Sequence, residues 1–224
     1  MKIRELHSWN VSPSEAVTIQ KNLATQVSRH DEIGTPRFIA GADISVNKVR
    51  NMATAAVVVL RYPELKLVNS SVIKDEIAFP YIPGLLSFRE SPLVLCACQN
   101  LKIEFDLLFV DGQGVAHPRR MGLASHLGLL LDKPTIGCAK SRLIGAYQEP
   151  PVEAGCWTEL VDDGEVIGVA LRTRQGVKPV YVSIGNMVGL SSAIDWTMAC
   201  CRNNRIPEPL RLAHIMAGNQ AQSL

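Results

Sequence analysis

At 224 residues, with 47% hydrophobic and 20% charged side chains, the chain has the length of one domain and too much apolar content to be disordered. Its 23 lysines and arginines nearly balance 21 acids, a formal net charge of +2, which excludes histone-like or polybasic behaviour. A nucleic-acid partner stays open, because phosphate is held by a local patch and not by a total. Six cysteines without a CxxC pair give neither a disulfide framework nor a zinc site, and read as reduced thiols. The N-terminal MKIRELHSWN has no apolar leader region, and the run Ala55 to Leu60 is far short of a membrane span. A cytoplasmic protein with no membrane partner is the expectation.

The first predicted element is a helix opened by Ser12-Pro13-Ser14-Glu15. Ser12 caps, Pro13 takes the first helical position and Glu15 reaches back. Ala16, Ile19, Leu23 and Val27 follow at helical spacing, and Gly34-Thr35-Pro36 stops the run. Branched residues over 38–46 predict a strand, followed by strands over 54–60 and 67–77 with Tyr62-Pro63-Glu64 as the turn. Three strands on short connections predict an antiparallel meander. A helix is predicted over 88–101, with Leu93, Leu95, Ala97 and Leu101 as candidate core residues. The apolar stretch 106–111 reads as a strand covered on both faces. A helix over 119–131 and a second buried strand over 134–139 complete a right-handed parallel crossover. Strands over 166–173 and 180–184, a helix over 191–201 and a short one over 209–216 close the chain. With no repeat, low-complexity stretch or linker, residues 1–224 read as a single domain of α/β class. Its sheet is mixed, an antiparallel meander first and parallel βαβ units after, flanked by helices.

Three carboxylates stand out on this frame. Asp43 lies inside an apolar strand, where a carboxylate costs several kcal/mol unless paired, hydrogen-bonded or metal-bound. Asp111 ends a buried strand, and the carboxyl ends of parallel strands are where ligands bind in open α/β sheets. Glu90 sits early in the helix leading to that strand. Each alone also fits a turn or a helix N-terminus. Together they would converge on one point, as a Mg²⁺ or Mn²⁺ site for phosphodiester hydrolysis requires. Gly112-x-Gly114 lacks the third glycine of a dinucleotide fingerprint, and neither a G-x-S-x-G elbow nor a Walker lysine loop is present.

Charge along the chain is uneven. From 117 to 142 there are five basic residues (Arg119, Arg120, Lys133, Lys140, Arg142) and one acid, whereas 145–168 holds six acids and no lysine or arginine. Two solvated faces account for this, and so does a basic stretch placed around the carboxylates to hold a phosphate backbone. Lys140 follows the strand that ends near Asp111. The segment Phe79-Pro80-Tyr81-Ile82-Pro83-Gly84 reads either as a hydrophobic loop tucked on the core or as a stiff wedge, with Tyr81 able to stack where a base has left.

These residues resemble the endonuclease V family, the deoxyinosine 3′-endonucleases. The likeness runs from Ala40-Gly41-Ala42-Asp43 through the segment Pro80 to Glu90, Val110-Asp111-Gly112-Gln113-Gly114, His117-Pro118-Arg119-Arg120 and Gly137-Cys138-Ala139-Lys140, to the tail ending in His214. The resemblance implies a ribonuclease H-like fold and a Mg²⁺-dependent phosphodiesterase, with Mn²⁺ able to substitute, acting as a monomer on DNA that contains deaminated bases. The cut falls at the second phosphodiester bond 3′ to deoxyinosine and leaves a 3′-hydroxyl and a 5′-phosphate. By the same resemblance Asp43 and Asp111 hold metal and Glu90 is the third acid. Lys140 steadies the phosphate and His214 helps metal or water. Tyr81 is the wedge, Arg89 and His117 lie on the DNA, and Gly84, Gly112, Gly137 and Ala139 leave room for a flipped base. One departure is Asn186, where many relatives have His; no site role is placed on it. A structure-specific nuclease, a nuclease for inosine in RNA, and a non-catalytic binding module remain as alternatives.

Overall fold

The computed structural model describes residues 1–47 and 49–222, and its first helix begins where the capping residues put it. Ser12 Oγ accepts from the Glu15 N–H at 3.3 Å, and Glu15 accepts from the Ser12 N–H at 2.7 Å. This capping box opens α1 (Pro13–Ala24), whose buried stripe is Ala16, Gln20 and Leu23. The helix stops before Val27, shorter than its apolar spacing predicts.

Eight strands form one sheet: β1 (Phe38–Asn47), β2 (Met52–Arg61), β3 (Lys66–Glu76), β4 (Leu107–Val110), β5 (Thr135–Ala139), β6 (Trp157–Asp162), β7 (Glu165–Leu171) and β8 (Val180–Asn186). Their order is β3-β2-β1-β4-β5-β8-β7-β6. The first three make the predicted antiparallel meander, and β1, β4 and β5 run parallel. The parallel run ends there. The β5–β8, β8–β7 and β7–β6 pairs are antiparallel, so a second meander replaces the further parallel units expected from the sequence.

Side chains alternate across the central strands, as the pleat requires. Ile39, Leu107 and Phe109 point to the face covered by α4 (Leu190–Cys200) and α5 (Glu208–Gln222). Ala40, Ala42, Leu108 and Val110 point to the face covered by α2 (Leu86–Gln99) and α3 (Leu123–Leu131). Coverage on both sides explains the near-continuous apolar sequence of β4. Fully buried side chains such as Phe109, Leu107 and Leu108 each stabilise the fold by about 1.5–3 kcal/mol.

Gly41 sits on the α5 side of β1, and a Cβ there would lie 2.3 Å from the carbonyl carbon and oxygen of Pro209. The first turn of α5 therefore rests on bare backbone. That close approach brings His214, farther along α5, beside Asp43 on the same face of β1. Among the described residues no helix is long and apolar enough to cross a membrane.

Two local departures have physical causes. The predicted helix over 119–131 starts only at Leu123, because residues 117–120 form a turn, with the Arg120 N–H on the His117 carbonyl at 2.8 Å. Arg120 is left-handed (φ 55°), and the Gly114 and Gln113 carbonyls take the N–H groups of Gly122 and Ala124 at 2.9 and 3.0 Å. Strand β6 was not expected at all. It lies at the sheet edge within the acidic stretch, and only Leu160 of its six residues is buried, so its apolar signal is weak.

Candidate active site

The parallel register of β1 and β4 sets the carboxylates side by side. The Asp111 N–H donates to the Ala42 carbonyl at 3.1 Å, extending the ladder one step beyond β4. Asp43, on β1, accepts from the Ile44 N–H through Oδ1 at 2.8 Å. Its Oδ2 lies 2.6 Å from His214 Nδ1. Lys140 follows β5, and its ammonium donates to Asp111 Oδ2 while lying 3.5 Å from His214 Nδ1. One ligand atom each from Asp43, Asp111 and His214 fall within 4.8 Å of one another. Glu90, from the first half of α2, lines the same cleft of about 400 Å³ with Asp43, Asp111, Lys140 and His214.

The electrostatics of this cleft call for positive charge. Burial and the charge of Asp43 push the Glu90 carboxyl up to about 8, against a smaller opposing effect of Arg89. Burial and Asp43 also raise Asp111, offset in part by Lys140 and His214. Two aspartates and an imidazole make an oxygen-rich donor set that suits a hard divalent cation. The residues therefore fit a hard divalent metal ion.

Next to the cleft lies a second, mostly apolar cavity of about 130 Å³ lined by Tyr81, Ile82, Gly84, Leu86, Gly112, His117, Met121, Leu123 and Leu143 among others. Leu86 and Leu123 belong to both cavities. The loop over 79–84 proves to be half core and half tip. Phe79 is buried against Ala16, Leu85 and Phe88 with Ile82 packed alongside, while Tyr81 is 68% exposed. The Arg89 guanidinium stands 5.7 Å from the Tyr81 ring centroid. Of the four small residues expected around a flipped base, Gly84 and Gly112 line this cavity. Gly137 and Ala139 do not line it. They lie in β5, where a Cβ on Gly137 would meet the Gly114 nitrogen at 2.5 Å, so that glycine serves close packing.

His117, expected on nucleic acid, is buried instead. Its Nδ1 accepts from the Arg119 N–H at 3.1 Å, and its Nε2 stands 3.0 Å from the Gly84 carbonyl. Burial and the neighbouring Arg119 lower its pKa to about 4, so the ring is neutral at pH 7 with Nε2–H donating to Gly84. The basic stretch does not gather round the carboxylates either. Arg120 pairs with Asp162 at 3.0 Å and Glu165 at 2.6 Å, and Lys133 with Glu104 at 3.4 Å, leaving Lys140 as the member beside the acids. Asn186 is buried in β8 and accepts from the Ser28 N–H at 3.0 Å, away from the cleft. Gln20 was missed by sequence reasoning. Its one signal was an amide on the stripe of α1 otherwise made by Ala16 and Leu23.

Comparison with known proteins agrees with this geometry. The family model described as Endonuclease V matches residues 21–215. Endonuclease V of Methanothrix thermoacetophila is 53% identical over 222 residues, spanning 99% of this chain and 98% of that relative. The crystal structure of Endonuclease V from Streptomyces avermitilis superposes with a TM-score of 0.92 at 38% identity, covering 99% of this chain and 98% of that one. Ciona intestinalis Endonuclease V, solved in complex with a 24mer DNA containing an inosine followed by a ribo-adenosine, superposes with a TM-score of 0.81 at 29% identity over 93% of this chain and 97% of that one. Likeness that runs almost end to end, in residues as in fold, leads to one assignment: the chain belongs to the endonuclease V family and is a nuclease.

Proposed function

We propose that this nuclease reads deaminated bases in DNA, deoxyinosine foremost, and hydrolyses the second phosphodiester bond 3′ to the lesion. The observation that carries the reading is adjacency: an apolar cavity beside the exposed Tyr81 shares a wall with the carboxylate cleft. An apolar void of about 150 Å³ takes a benzene-sized ring. The cavity here, about 130 Å³, is of the size that takes one ring of a flat base turned out of its stack. Tyr81 stacks into the gap the base leaves, with Arg89 beside it facing the backbone. The DNA in the Ciona relative's complex contains an inosine, which supports the same substrate class for this chain.

Asp43, Asp111 and His214 would hold Mg²⁺, with Mn²⁺ able to substitute, and Glu90 lines the same cleft as the third acid. Such an ion would supply Lewis-acid charge at the phosphate and make a bound water more acidic. Lys140, already within the cluster, donates from its ammonium to a non-bridging phosphate oxygen. Water oxygen bonds to phosphorus, the bond to the 3′ oxygen breaks, and that oxygen takes a proton, giving a 3′-hydroxyl and a 5′-phosphate. The test is a nicking assay with product mapping on a denaturing gel. It uses matched duplexes with deoxyinosine, with deoxyadenosine, and with a ribonucleotide after the inosine. Nicking at the second bond 3′ to inosine in Mg²⁺, abolished by chelator and reduced about 1000-fold or more in Asp43→Asn, is the expected result. Equal nicking with and without inosine would sink lesion reading, and a strict need for the ribonucleotide would move the substrate to RNA.

A further inference from the structure

We propose that Gln20 is a positioning residue for base discrimination, acting through the main-chain carbonyl of Gly84; this rests on the apolar cavity being the base pocket. Gln20 is 1% exposed on α1. A buried primary amide is costly unless its hydrogen bonds are made. Here all of them are. Nε2 faces the Gly84 carbonyl at 3.0 Å, the Met121 carbonyl at 3.2 Å and Ser87 Oγ at 3.4 Å, and Oε1 accepts from Arg119 Nε at 2.6 Å. Two carbonyls at one end and a guanidinium at the other leave a single orientation of the amide.

The Gly84 oxygen receives two further donors, His117 Nε2 at 3.0 Å and Arg119 Nη2 at 2.6 Å. One carbonyl thus gathers three side-chain donors, from α1 and from the 117–120 loop. Gly84 itself is in the left-handed region at φ 78°, where the Tyr81 loop turns into α2. The direction of its carbonyl decides where Tyr81 and Leu86 stand, and Gln20, Gly84, His117 and Met121 are all walls of the cavity. None of the Gln20 bonds reaches Asp43, Glu90 or Asp111. The amide therefore fixes the shape of the base pocket and leaves the metal cleft alone. A pocket that selects by shape and paired polar groups loses selection when its walls loosen.

The full chain is tested as wild type, Gln20→Leu and Gln20→Glu. Glutamate keeps the acceptor for Arg119 and removes the donor to Gly84. Arg119→Met, at a half-buried site, removes a donor from the same carbonyl and the partner of Gln20 Oε1 while leaving the side chains of α1 unchanged. Three readouts are taken: nicking of deoxyinosine and deoxyadenosine duplexes, Mn²⁺ affinity by calorimetry, and amide exchange over residues 79–86. The expected result is a fall of about tenfold or more in the inosine preference, with KM for the inosine duplex moving more than kcat. Exchange over 79–86 quickens in all three variants, and Mn²⁺ affinity stays within about twofold of wild type. Wild-type preference and exchange in Gln20→Glu and Arg119→Met would overturn the anchor even if Gln20→Leu failed to fold. A wild type that nicks both duplexes alike overturns the base-pocket reading, whereas a discriminating wild type beside equally discriminating variants overturns only the anchor.

Discussion

Burial and the facing Asp43 hold the Glu90 carboxyl at about 8, against an ordinary value of 4.5. Between those two values the folded chain binds more protons than the unfolded one, so this group lowers stability as pH rises through the window. In chelator, the thermal midpoint of the wild type should fall by several degrees between about pH 5 and pH 8, and that of Glu90→Gln should fall less. Calorimetric melts across that range decide it; parallel curves for the two proteins would show that Glu90 carries no such load. Asp43 and Asp111 could be found in the sequence because an acid in or at the end of an apolar strand is costly and so conspicuous. Lys140 was found by its place after a buried strand. Gln20 and the buried state of His117 were not legible, since both depend on which distant carbonyl each side chain meets, and no local pattern records that.

At the scale of elements, the contact of α5 on β1 ties the metal cleft to the core. Gly41→Ala would drive a methyl into the Pro209 carbonyl at 2.3 Å, so α5 must lift. A cost of about 1–3 kcal/mol is expected, together with weaker Mn²⁺ binding because His214 moves off Asp43. Melting curves and titration calorimetry measure the two effects, and a stability loss with unchanged Mn²⁺ affinity would mean that His214 takes no part in holding the ion. The first meander and the two buried parallel strands were legible because strand length, alternation and turn residues agree there. Strand β6 and the late start of α3 were not. The strand is an edge with one buried residue, and the helix start is set by carbonyls of the Gln113–Gly114 backbone that only the tertiary fold delivers.

For the molecule as a whole, the two charge runs read from the sequence meet each other. Arg120 of the basic run bonds Asp162 and Glu165 of the acidic run, so much of the positive charge is spent internally. What the cleft itself then offers a phosphate backbone is Lys140 set among Asp43, Glu90 and Asp111. Affinity of the cleavage-deficient Lys140→Ala variant for an inosine duplex should accordingly rise about tenfold when Ca²⁺ is added at constant ionic strength. Fluorescence anisotropy measures this, and equal binding with and without Ca²⁺ would mean that the acids do not face the DNA. The shared wall of Leu86 and Leu123 has a further consequence. On the proposed function, reading would happen in one chamber and cutting in the next, so the reaction would leave the recognised group where it was. A nicked strand would then keep its hold on the protein, and the enzyme would be inhibited by its own success. A burst of product equal to the enzyme present, then slow turnover, is the kinetic mark expected of such a molecule; it would act less as a recycling catalyst than as a marker left on the break until something displaces it.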